Sequence, residues 1–240
     1  MPQEDGKIQI RGGEDPNAYY FQDVLLINRP DAVRLYLIRH GQAGNNVPLG
    51  EGQLPEPDPP LTDAGREQAR RLGERMAAYG VDAIYSSPLQ RAYDTGMEIA
   101  RRTGHEIELL PDLREIDEVI EGQVRSAPRV MAEALSHEEI KARLEKDPVW
   151  DNLPGAEPSA HFRKRIVRAI DAIVEANTGK RVAITCHGGV IQSYVAEVLG
   201  IRSDFPFYCF NASITSVRAR GDRRVLWRLN DVGHLEGAVS

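Results

Sequence analysis

The chain has very little cysteine, no long apolar run and no excess of positive charge. Only Cys186 and Cys209 occur in 240 residues, which excludes a disulfide framework and does not match the spacing of a zinc site. No stretch approaches the ~20 apolar residues of a membrane span, and the first residues lack a secretory pattern. The net charge of −6 argues against a nucleic-acid surface. These absences favour a reduced, cytoplasmic protein with neither a membrane nor a nucleic-acid partner.

Several familiar catalytic motifs are also missing. The chain contains neither the GxxxxGK[ST] loop of nucleotide-binding proteins nor the GxSxG turn of esterases. Cys186 lies inside an apolar run, so we expect it to be buried and inert. Most of the histidines are scattered without ligand spacing, namely His105, His137, His161 and His234. We therefore expect no metal site and no cofactor.

What the sequence does contain is a regular alternation of short apolar runs and amphipathic segments. Strands are predicted at 33–38, 81–87, 106–110 and 181–186, with two more joined around Gly221-Asp222. This alternation predicts an α/β fold, a three-layer sandwich whose mostly parallel central sheet carries helices on both faces. The last two strands predict a late β-hairpin. We expect residues 1–30 to form an N-terminal extension and residues 31–240 to form one domain.

Two helix starts can be read from their capping residues. Thr62 precedes an apolar stripe at helical spacing, which ends at Gly80. Ser87 followed by Pro88 predicts that the next helix begins at the proline, where the missing N–H costs nothing. That helix is expected to end at Gly104.

Polar and charged residues follow the ends of four predicted strands. In parallel sheets, ligands bind outside the carboxyl ends of the strands. The residues placed there by this rule are Arg39 and His40 in "LYLIRHGQAGNN", Arg91, Glu115, and His187 and Gly188 in "VAITCHGGV". Two imidazoles, two guanidinium groups and one carboxyl are therefore expected to share one site.

This set of groups suits the transfer of a phosphoryl group. A phosphomonoester is a dianion that repels a nucleophile, and it hydrolyses extremely slowly without a catalyst, so a site must neutralise its charge. Arginine forks match phosphate geometry, so Arg39 and Arg91 are expected to bind the phosphoryl oxygens. A neutral His40 can attack phosphorus and form a phosphohistidine. His187, helped by the Gly188 N–H, would donate to a phosphoryl oxygen, and a protonated Glu115 would supply a proton to the leaving group.

Each of these residues also has a purely structural interpretation. A single "RHG" triplet occurs by chance in many proteins, and His187 alone is better explained as a capping or core histidine. Arg91 could be a solvated helix residue paired with Asp94, and Glu115 could be one of several surface acids. The joint placement of all of them at strand ends favours the catalytic interpretation.

The motifs "LIRHGQAGNN", "LTDAGREQA", "YSSPLQRAYDTG", "LREI", "PGAEP" and "ITCHGGVI" resemble, in this order, those of the histidine phosphatase superfamily, the phosphoglycerate-mutase-like proteins. The resemblance covers about residues 33–220. It implies that His40 is the phosphorylated nucleophile and Glu115 the proton donor. The remaining residues implied at the phosphoryl group are Arg39, Asn46, Arg91 and His187. It also implies a metal-independent enzyme and a histidine-phosphatase-like catalytic domain over 31–240.

The chain departs from the family pattern in three places. Ala43 stands where many members have serine or threonine, and "GAEP" at 155–158 replaces the usual "GGES". The glycine and tryptophan that usually follow the catalytic acid are missing from "IDEVIEGQ". Because the last segment often meets the substrate, the resemblance does not carry substrate specificity.

Three functions remain open at this point. The stretch between Glu115 and Glu157 is compact, as in the phosphatases, so we rank hydrolysis of a small phosphorylated metabolite through a phosphohistidine first. A cofactor-dependent phosphoglycerate mutase is second, since it shares the first half-reaction. A non-catalytic relative that binds phosphorylated ligands is third, because such relatives usually lose a histidine or arginine of the site. A homodimer is also left open.

Overall fold

The computed structural model describes residues 21, 23–27, 29–47, 56–120, 123–126, 136–153 and 155–236. Most of the predicted extension at 1–30 and residues 48–55 lie outside these residues. Side-chain positions are likewise not described for 117–120, 123–126 and His137.

The centre of the molecule is a six-stranded sheet, which confirms the predicted α/β class. Its strands in chain order are β1 (Val33–Arg39), β2 (Ala83–Ser86), β3 (Ile107–Leu109), β6 (Arg181–Cys186), β7 (Ile214–Arg220) and β8 (Arg223–Asp231). The spatial order is β3-β2-β6-β1-β7-β8. The first four strands of this order are parallel, whereas β7 is antiparallel to both β1 and β8. The sheet is therefore mostly parallel, and β7–β8 is the late hairpin.

Helices cover both faces of the sheet and complete the three layers. In the described part of the chain they are α1 (Asp63–Tyr79), α2 (Gln90–Thr103), α3 (His137–Lys146), α4 (Ser159–Ala176) and α5 (Gly188–Leu199). On one face, Leu72 of α1 and Ile99 of α2 pack with Ile38 of β1. On the other face, Phe162 of α4 and Tyr194 of α5 belong to the larger core cluster.

The alternation of side chains along β1 explains how one strand serves two cores. Leu35 and Leu37 are fully buried in the larger cluster, while Ile38 is buried in the cluster beneath α1 and α2. Successive residues of a strand point to opposite faces, so both faces of a sandwiched strand must be apolar. The strand therefore ends with Arg39 at the carboxyl end of the sheet, between the two helical layers.

The ends of α1 follow the sequence prediction closely. Thr62 is the N-cap, and its Oγ1 accepts from the Gly65 N–H at 3.1 Å. Gly80 closes the helix with φ of 69°, the left-handed conformation in which glycine avoids a Cβ clash.

Two local expectations need correction. The helix after β2 begins at Gln90, with Leu89 at the N-cap, and not at Pro88. The reason is that Leu89 is extended and that the Ser87 hydroxyl is bonded to His187 and to the Leu89 N–H. A second, two-stranded sheet, β4 (Asp117–Ile120) paired with β5 (Gln123–Ser126), has no counterpart in the sequence prediction.

Among the described residues, no helix has both the length and the apolar character required to cross a bilayer.

Candidate active site

The two histidine motifs meet at the carboxyl ends of adjacent strands. The neighbouring strands β1 and β6 are parallel, and Arg39 lies opposite Cys186 in their register. His40 and His187 each follow directly, so their rings lie side by side with centroids 5.2 Å apart. His40 is 2% exposed and His187 is fully buried. The geometry therefore places both histidines in one pocket at the sheet edge.

The hydrogen bonds of His40 define which ring nitrogen can react. Its Nδ1 lies 2.7 Å from the carbonyl oxygen of Gly41, which can only accept, so Nδ1 carries the proton in the neutral ring. The lone pair is then on Nε2. The Nε of Arg91 lies 3.3 Å from this Nε2 and donates to it. The unprotonated nitrogen of His40 thus faces a guanidinium group.

The environment keeps the His40 ring uncharged. Burial, followed by the charges of Arg91 and Arg39, holds the pKa of His40 well below its usual range, against the smaller opposing effect of the Gly41 bond. A protonated ring would have no lone pair to attack phosphorus. The two guanidinium groups that attract anions therefore also keep a lone pair available on Nε2 of His40.

His187 is oriented by a serine at the end of β2. Its Nε2 lies 2.8 Å from Ser87 Oγ, and this hydroxyl oxygen already accepts from the Leu89 N–H at 3.3 Å. Ser87 can then donate its hydrogen to Nε2, which leaves the ring proton on Nδ1. This Nδ1 is buried with no hydrogen-bond partner among the described residues. In that tautomer Nδ1 is the donor left to bind a ligand, because buried polar groups are normally satisfied.

His187 is also held neutral. Burial, with the charges of Arg91, His40 and Arg39, holds the pKa of His187 well below its usual range. A neutral His187 acts as a hydrogen-bond donor through one nitrogen and adds no charge of its own beside His40.

Arg39 is fixed by the segment that precedes β7. Its Nη1 donates to the carbonyl of Cys209, while its Nε is buried and has no partner among the described residues. A Cβ added to Gly188 would lie 3.7 Å from that Nε, so the first turn of α5 borders the same space. First-turn amides of a helix have no partner within the helix and attract anions.

Asn46 reaches the site through a second asparagine. The Asn211 amide donates to the His40 carbonyl and to Asn46 Oδ1, both at 3.1 Å. The same Oδ1 also accepts from the Ala43 N–H at 3.1 Å. Because the oxygen of Asn46 is fully engaged, its amide hydrogens are the groups left to contact a ligand.

Arg91 is not a solvated helix residue. It is 1% exposed, and its Nη1 lies 3.3 Å from Asp58 Oδ1 rather than beside Asp94. Asp58 also accepts from the Gln90 N–H at 2.9 Å, at the start of α2. Burial lowers the pKa of Arg91, and the charges of Glu115 and Asp58 oppose that effect.

Glu115 lies on the segment after β3 and turns toward α5. Its Oε2 accepts from the Gly189 N–H at 3.2 Å and its Oε1 from the Ile116 N–H at 3.1 Å. A Cβ on Gly189 would come within 2.4 Å of Oε1, so any larger residue here would displace the Glu115 carboxyl from this position. The structure therefore places Glu115 beside the pocket that holds Arg91 and the histidines.

Sequence reasoning missed two residues that shape this site. Asp58 lies in a proline-rich loop, and no local pattern identifies its contact with Arg91, 33 residues later. Arg165, which bonds the backbone of Glu115, lies on α4 among several basic residues. No local signal distinguishes it, since Arg163 and Arg168 also lie next to buried residues of the helix.

One of the departures from the family pattern has a structural explanation. Ala43 is fully buried against Leu61 and Ala69, so a hydroxyl there would lie in an apolar cluster. In "GAEP" the glutamate of the usual motif is kept as Glu157, which is 6% exposed and pairs with Arg165. The changes at Ala156 and Pro158 have no structural explanation. The side chains at 117–120 and 123–126, where the third departure falls, are not described.

No group of three or more histidine, cysteine or acidic side chains that could hold a metal ion occurs among the described residues. The pocket instead gathers guanidinium groups, which attract anions.

Comparison with known proteins shows to which family this chain belongs. The family model of the histidine phosphatase superfamily (branch 1) matches residues 35–232. The putative phosphoserine phosphatase 2 of Hydrogenobacter thermophilus is 33% identical over 205 residues, covering 84% of this chain and 97% of that protein. The structure of Bacillus stearothermophilus YhfR has a TM-score of 0.66 at 28% identity, covering 85% of this chain and all of that one.

A third protein has the same fold and a phosphatase name. A mycobacterial glucosyl-3-phosphoglycerate phosphatase, solved with VO3, is 27% identical with a TM-score of 0.65, covering 82% of this chain and 98% of that one. The chain therefore belongs to the histidine phosphatase superfamily, branch 1, as an enzyme of the phosphatase or mutase type.

Proposed function

We propose that the protein hydrolyses phosphomonoesters of small metabolites through a phosphohistidine at Nε2 of His40. One observation carries this proposal: Nδ1 of His40 donates to the Gly41 carbonyl at 2.7 Å, so the free lone pair on Nε2 faces the guanidinium of Arg91. The groups proposed to hold the phosphoryl oxygens are Arg39, Asn46, Arg91, His187 and the Gly188 N–H.

In the first step, Nε2 of His40 attacks phosphorus and the bond from phosphorus to the leaving oxygen breaks. Glu115 in its acid form gives its proton to that oxygen, and an incoming dianion favours protonation of a neighbouring carboxylate. The phosphorylated ring carries positive charge, which the Gly41 carbonyl stabilises at Nδ1–H. Two arginine forks neutralise the charge on the phosphoryl oxygens.

In the second step, water attacks the same phosphorus and Glu115, now a carboxylate, takes a proton from the water. The bond from phosphorus to Nε2 breaks, inorganic phosphate leaves and His40 returns to its neutral form. Splitting the reaction at His40 replaces one slow displacement by two easier ones.

The names of the relatives support the substrate class. They describe phosphatases of phosphoserine and of glucosyl-3-phosphoglycerate, both phosphate esters of small carboxylic acids. We propose a substrate of this kind, with water as the final acceptor.

A panel of phosphoserine, 3-phosphoglycerate, sugar phosphates and nucleotides, assayed for released phosphate with a chelator present, tests this function. Release from at least one small phosphoacid is the expected result. Conversion of 3-phosphoglycerate only in the presence of its bisphosphate would instead assign a mutase, the activity in the name of a 30% identical Arabidopsis thaliana relative. Binding without turnover of any member would assign a phospho-ligand-binding protein.

The same proposal includes the domain assignment, with the catalytic domain at 31–240 and an extension at 1–30. Leu26, near the end of the extension, is 2% exposed and its carbonyl accepts from Arg218 at 2.9 Å. Because the family match begins at residue 35, deleting residues 1–20 should leave phosphatase activity unchanged, and loss of activity would contradict the boundary. Two buried, unpaired cysteines support a reducing, cytoplasmic location.

A further inference from the structure

An arginine on α4 contacts the segment that carries Glu115. Arg165 Nη1 donates to the carbonyls of Asp112 at 2.6 Å and Arg114 at 3.0 Å. Its Nη2 donates to the carbonyl of Glu115 itself at 3.1 Å. One guanidinium group thus binds three carbonyls within four residues. In the described hydrogen bonds, no other side chain binds as many backbone groups of this segment.

A second buried charge holds this arginine in place. The carboxylate of Glu157 accepts from Arg165 Nε at 3.0 Å and from Nη2 at 2.9 Å. The guanidinium carbon also lies 4.6 Å from the centre of the Phe162 ring. The Glu157 and Arg165 side chains are 8% and 12% exposed. A buried ion pair is a poor source of stability compared with apolar residues of similar size, so its presence points to a requirement for hydrogen-bond geometry.

The bonds from Arg165 determine where the Glu115 carboxyl can lie. They fix the backbone of Glu115, while the Gly189 and Ile116 N–H groups hold its two side-chain oxygens. Proton transfer requires the acid to be within hydrogen-bond reach of the leaving oxygen, and a misplacement of ~1 Å can cost ~10²-fold in rate. A segment after a three-residue edge strand has few ladder bonds of its own to supply such accuracy.

We propose that Arg165, held by Glu157, is a positioning residue for proton transfer by Glu115. This inference rests on the proposed role of Glu115 as the acid of the reaction. Arg165 touches neither the histidines nor the phosphoryl-binding arginines in any described hydrogen bond. Its removal should therefore affect the step that needs the acid and leave the attack by His40 largely intact.

The chain offers a matched control two residues earlier on the same helix. Arg163 also binds backbone carbonyls, donating to Ile201 at 2.9 Å, and a buried carboxylate, Asp204, at 2.8 Å. Its side chain is 19% exposed. It binds a segment that does not carry Glu115. A difference between the effects of substituting the two arginines therefore separates positioning of Glu115 from general stabilisation of the fold.

The experiment compares kcat/KM for two esters in the variants Arg165→Lys, Glu157→Gln and Arg163→Lys. One ester is para-nitrophenyl phosphate, whose leaving group needs little protonation, and the other is the alkyl phosphate that the wild type hydrolyses fastest. Arg165→Lys keeps the charge but loses the planar fork. We expect it to lower the alkyl-to-aryl rate ratio by about tenfold, part of the ~10²–10⁴-fold that a general acid supplies. Glu157→Gln should change the ratio in the same direction, and Arg163→Lys should not change it.

Combining Arg165→Lys with Glu115→Gln distinguishes the possible failures. If Arg165 acts through Glu115, the ratio in the double variant equals that of Glu115→Gln alone. An unchanged ratio in Arg165→Lys and Glu157→Gln, with a changed ratio in Glu115→Gln, would overturn the positioning role and leave the proposed function standing. An unchanged ratio in Glu115→Gln would overturn the acid assignment and the inference together. If Arg165→Lys does not fold, the isosteric Glu157→Gln decides by the same ratio.

Discussion

The two sides of the active site are positioned by different physical means. The phosphoryl side, Arg39 with His40 and His187, lies at the ends of two adjacent parallel strands in the middle of the sheet. The acid side, Glu115, lies on a segment that follows the edge strand β3. On the first side the backbone ladder itself sets the geometry, whereas on the second side we propose that the geometry depends on side chains from α4. Variants on the phosphoryl side should therefore lower turnover equally for all leaving groups, and variants on the acid side should lower it most for poor leaving groups.

The largest effect is expected for His40→Ala. This change removes the atom that attacks phosphorus, so turnover should fall by at least roughly 10⁴-fold for good and poor leaving groups alike. Phosphate release from para-nitrophenyl phosphate and from an alkyl phosphate provides the measurement. His105→Ala is the control, since His105 is exposed and should keep wild-type rates. Residual activity of His40→Ala that depends on the leaving group would contradict the assignment of His40 to the phosphoryl side.

A smaller loss is expected for Arg91→Lys. The ammonium keeps the charge but not the fork, and loss of one preorganised donor costs about 10²–10³-fold. The fall in kcat/KM should be the same for aryl and alkyl esters, because binding of the phosphoryl oxygens is common to both. Arg101→Lys, on the same helix with a 64% exposed side chain, should leave kcat/KM at the wild-type value. A loss confined to alkyl esters would assign Arg91 to the acid side.

Glu115→Gln should separate the two sides most clearly. The amide has nearly the same shape but no proton to give, so poor leaving groups should slow by about 10²–10⁴-fold and good ones much less. The test is the slope of log(kcat/KM) against leaving-group acidity over a series of esters. Parallel slopes for the variant and the wild type would show that Glu115 is not the acid.

The smallest effect is expected in the dependence of the free energy of unfolding on pH. The folded state lowers the pKa of His40 and His187 well below the ordinary value of about 6.5, chiefly by burial. Below pH ~6.5 the unfolded chain therefore binds protons that the folded chain does not, so stability falls as pH falls, by at most about 1.4 kcal/mol per pH unit for each histidine.

Urea unfolding at pH 7.5 and pH 5.5 measures this dependence. The variant His187→Gln should show a weaker loss of stability between the two pH values than the wild type, because one buried neutral imidazole is gone. An identical loss in both proteins would mean that His187 does not contribute through its protonation.

The phosphoryl side could be predicted from sequence because its signals are local. Apolar runs that end in Arg39-His40 and in His187 identify strand ends, and the rule for parallel sheets brings them together. The order of the helices and the late hairpin follow from periodicity and from Gly221 in the same way. The structure adds the tautomer of His40 and the hydroxyl of Ser87 that orients His187, which follow from contacts of 2.7 and 2.8 Å that the sequence does not show.

The support of the acid side could not be predicted, because its contacts join distant parts of the chain. Arg165 meets the carbonyl of Glu115 across 50 residues, and several arginines on the same helix have an equal claim by composition. The hairpin β4–β5 escaped prediction for another reason: each strand has only four residues, and the alternation of charged and apolar residues is too short to identify a strand.

The most direct test of the account is to find where the phosphoryl group goes. Enzyme mixed with substrate, quenched in alkali within the first turnover and digested should contain one phosphorylated peptide, with the phosphate on Nε2 of His40. Phosphate on another residue, on Nδ1 of His40, or on no residue during steady turnover would contradict the claim that a neutral imidazole, fixed by the Gly41 carbonyl, is the nucleophile.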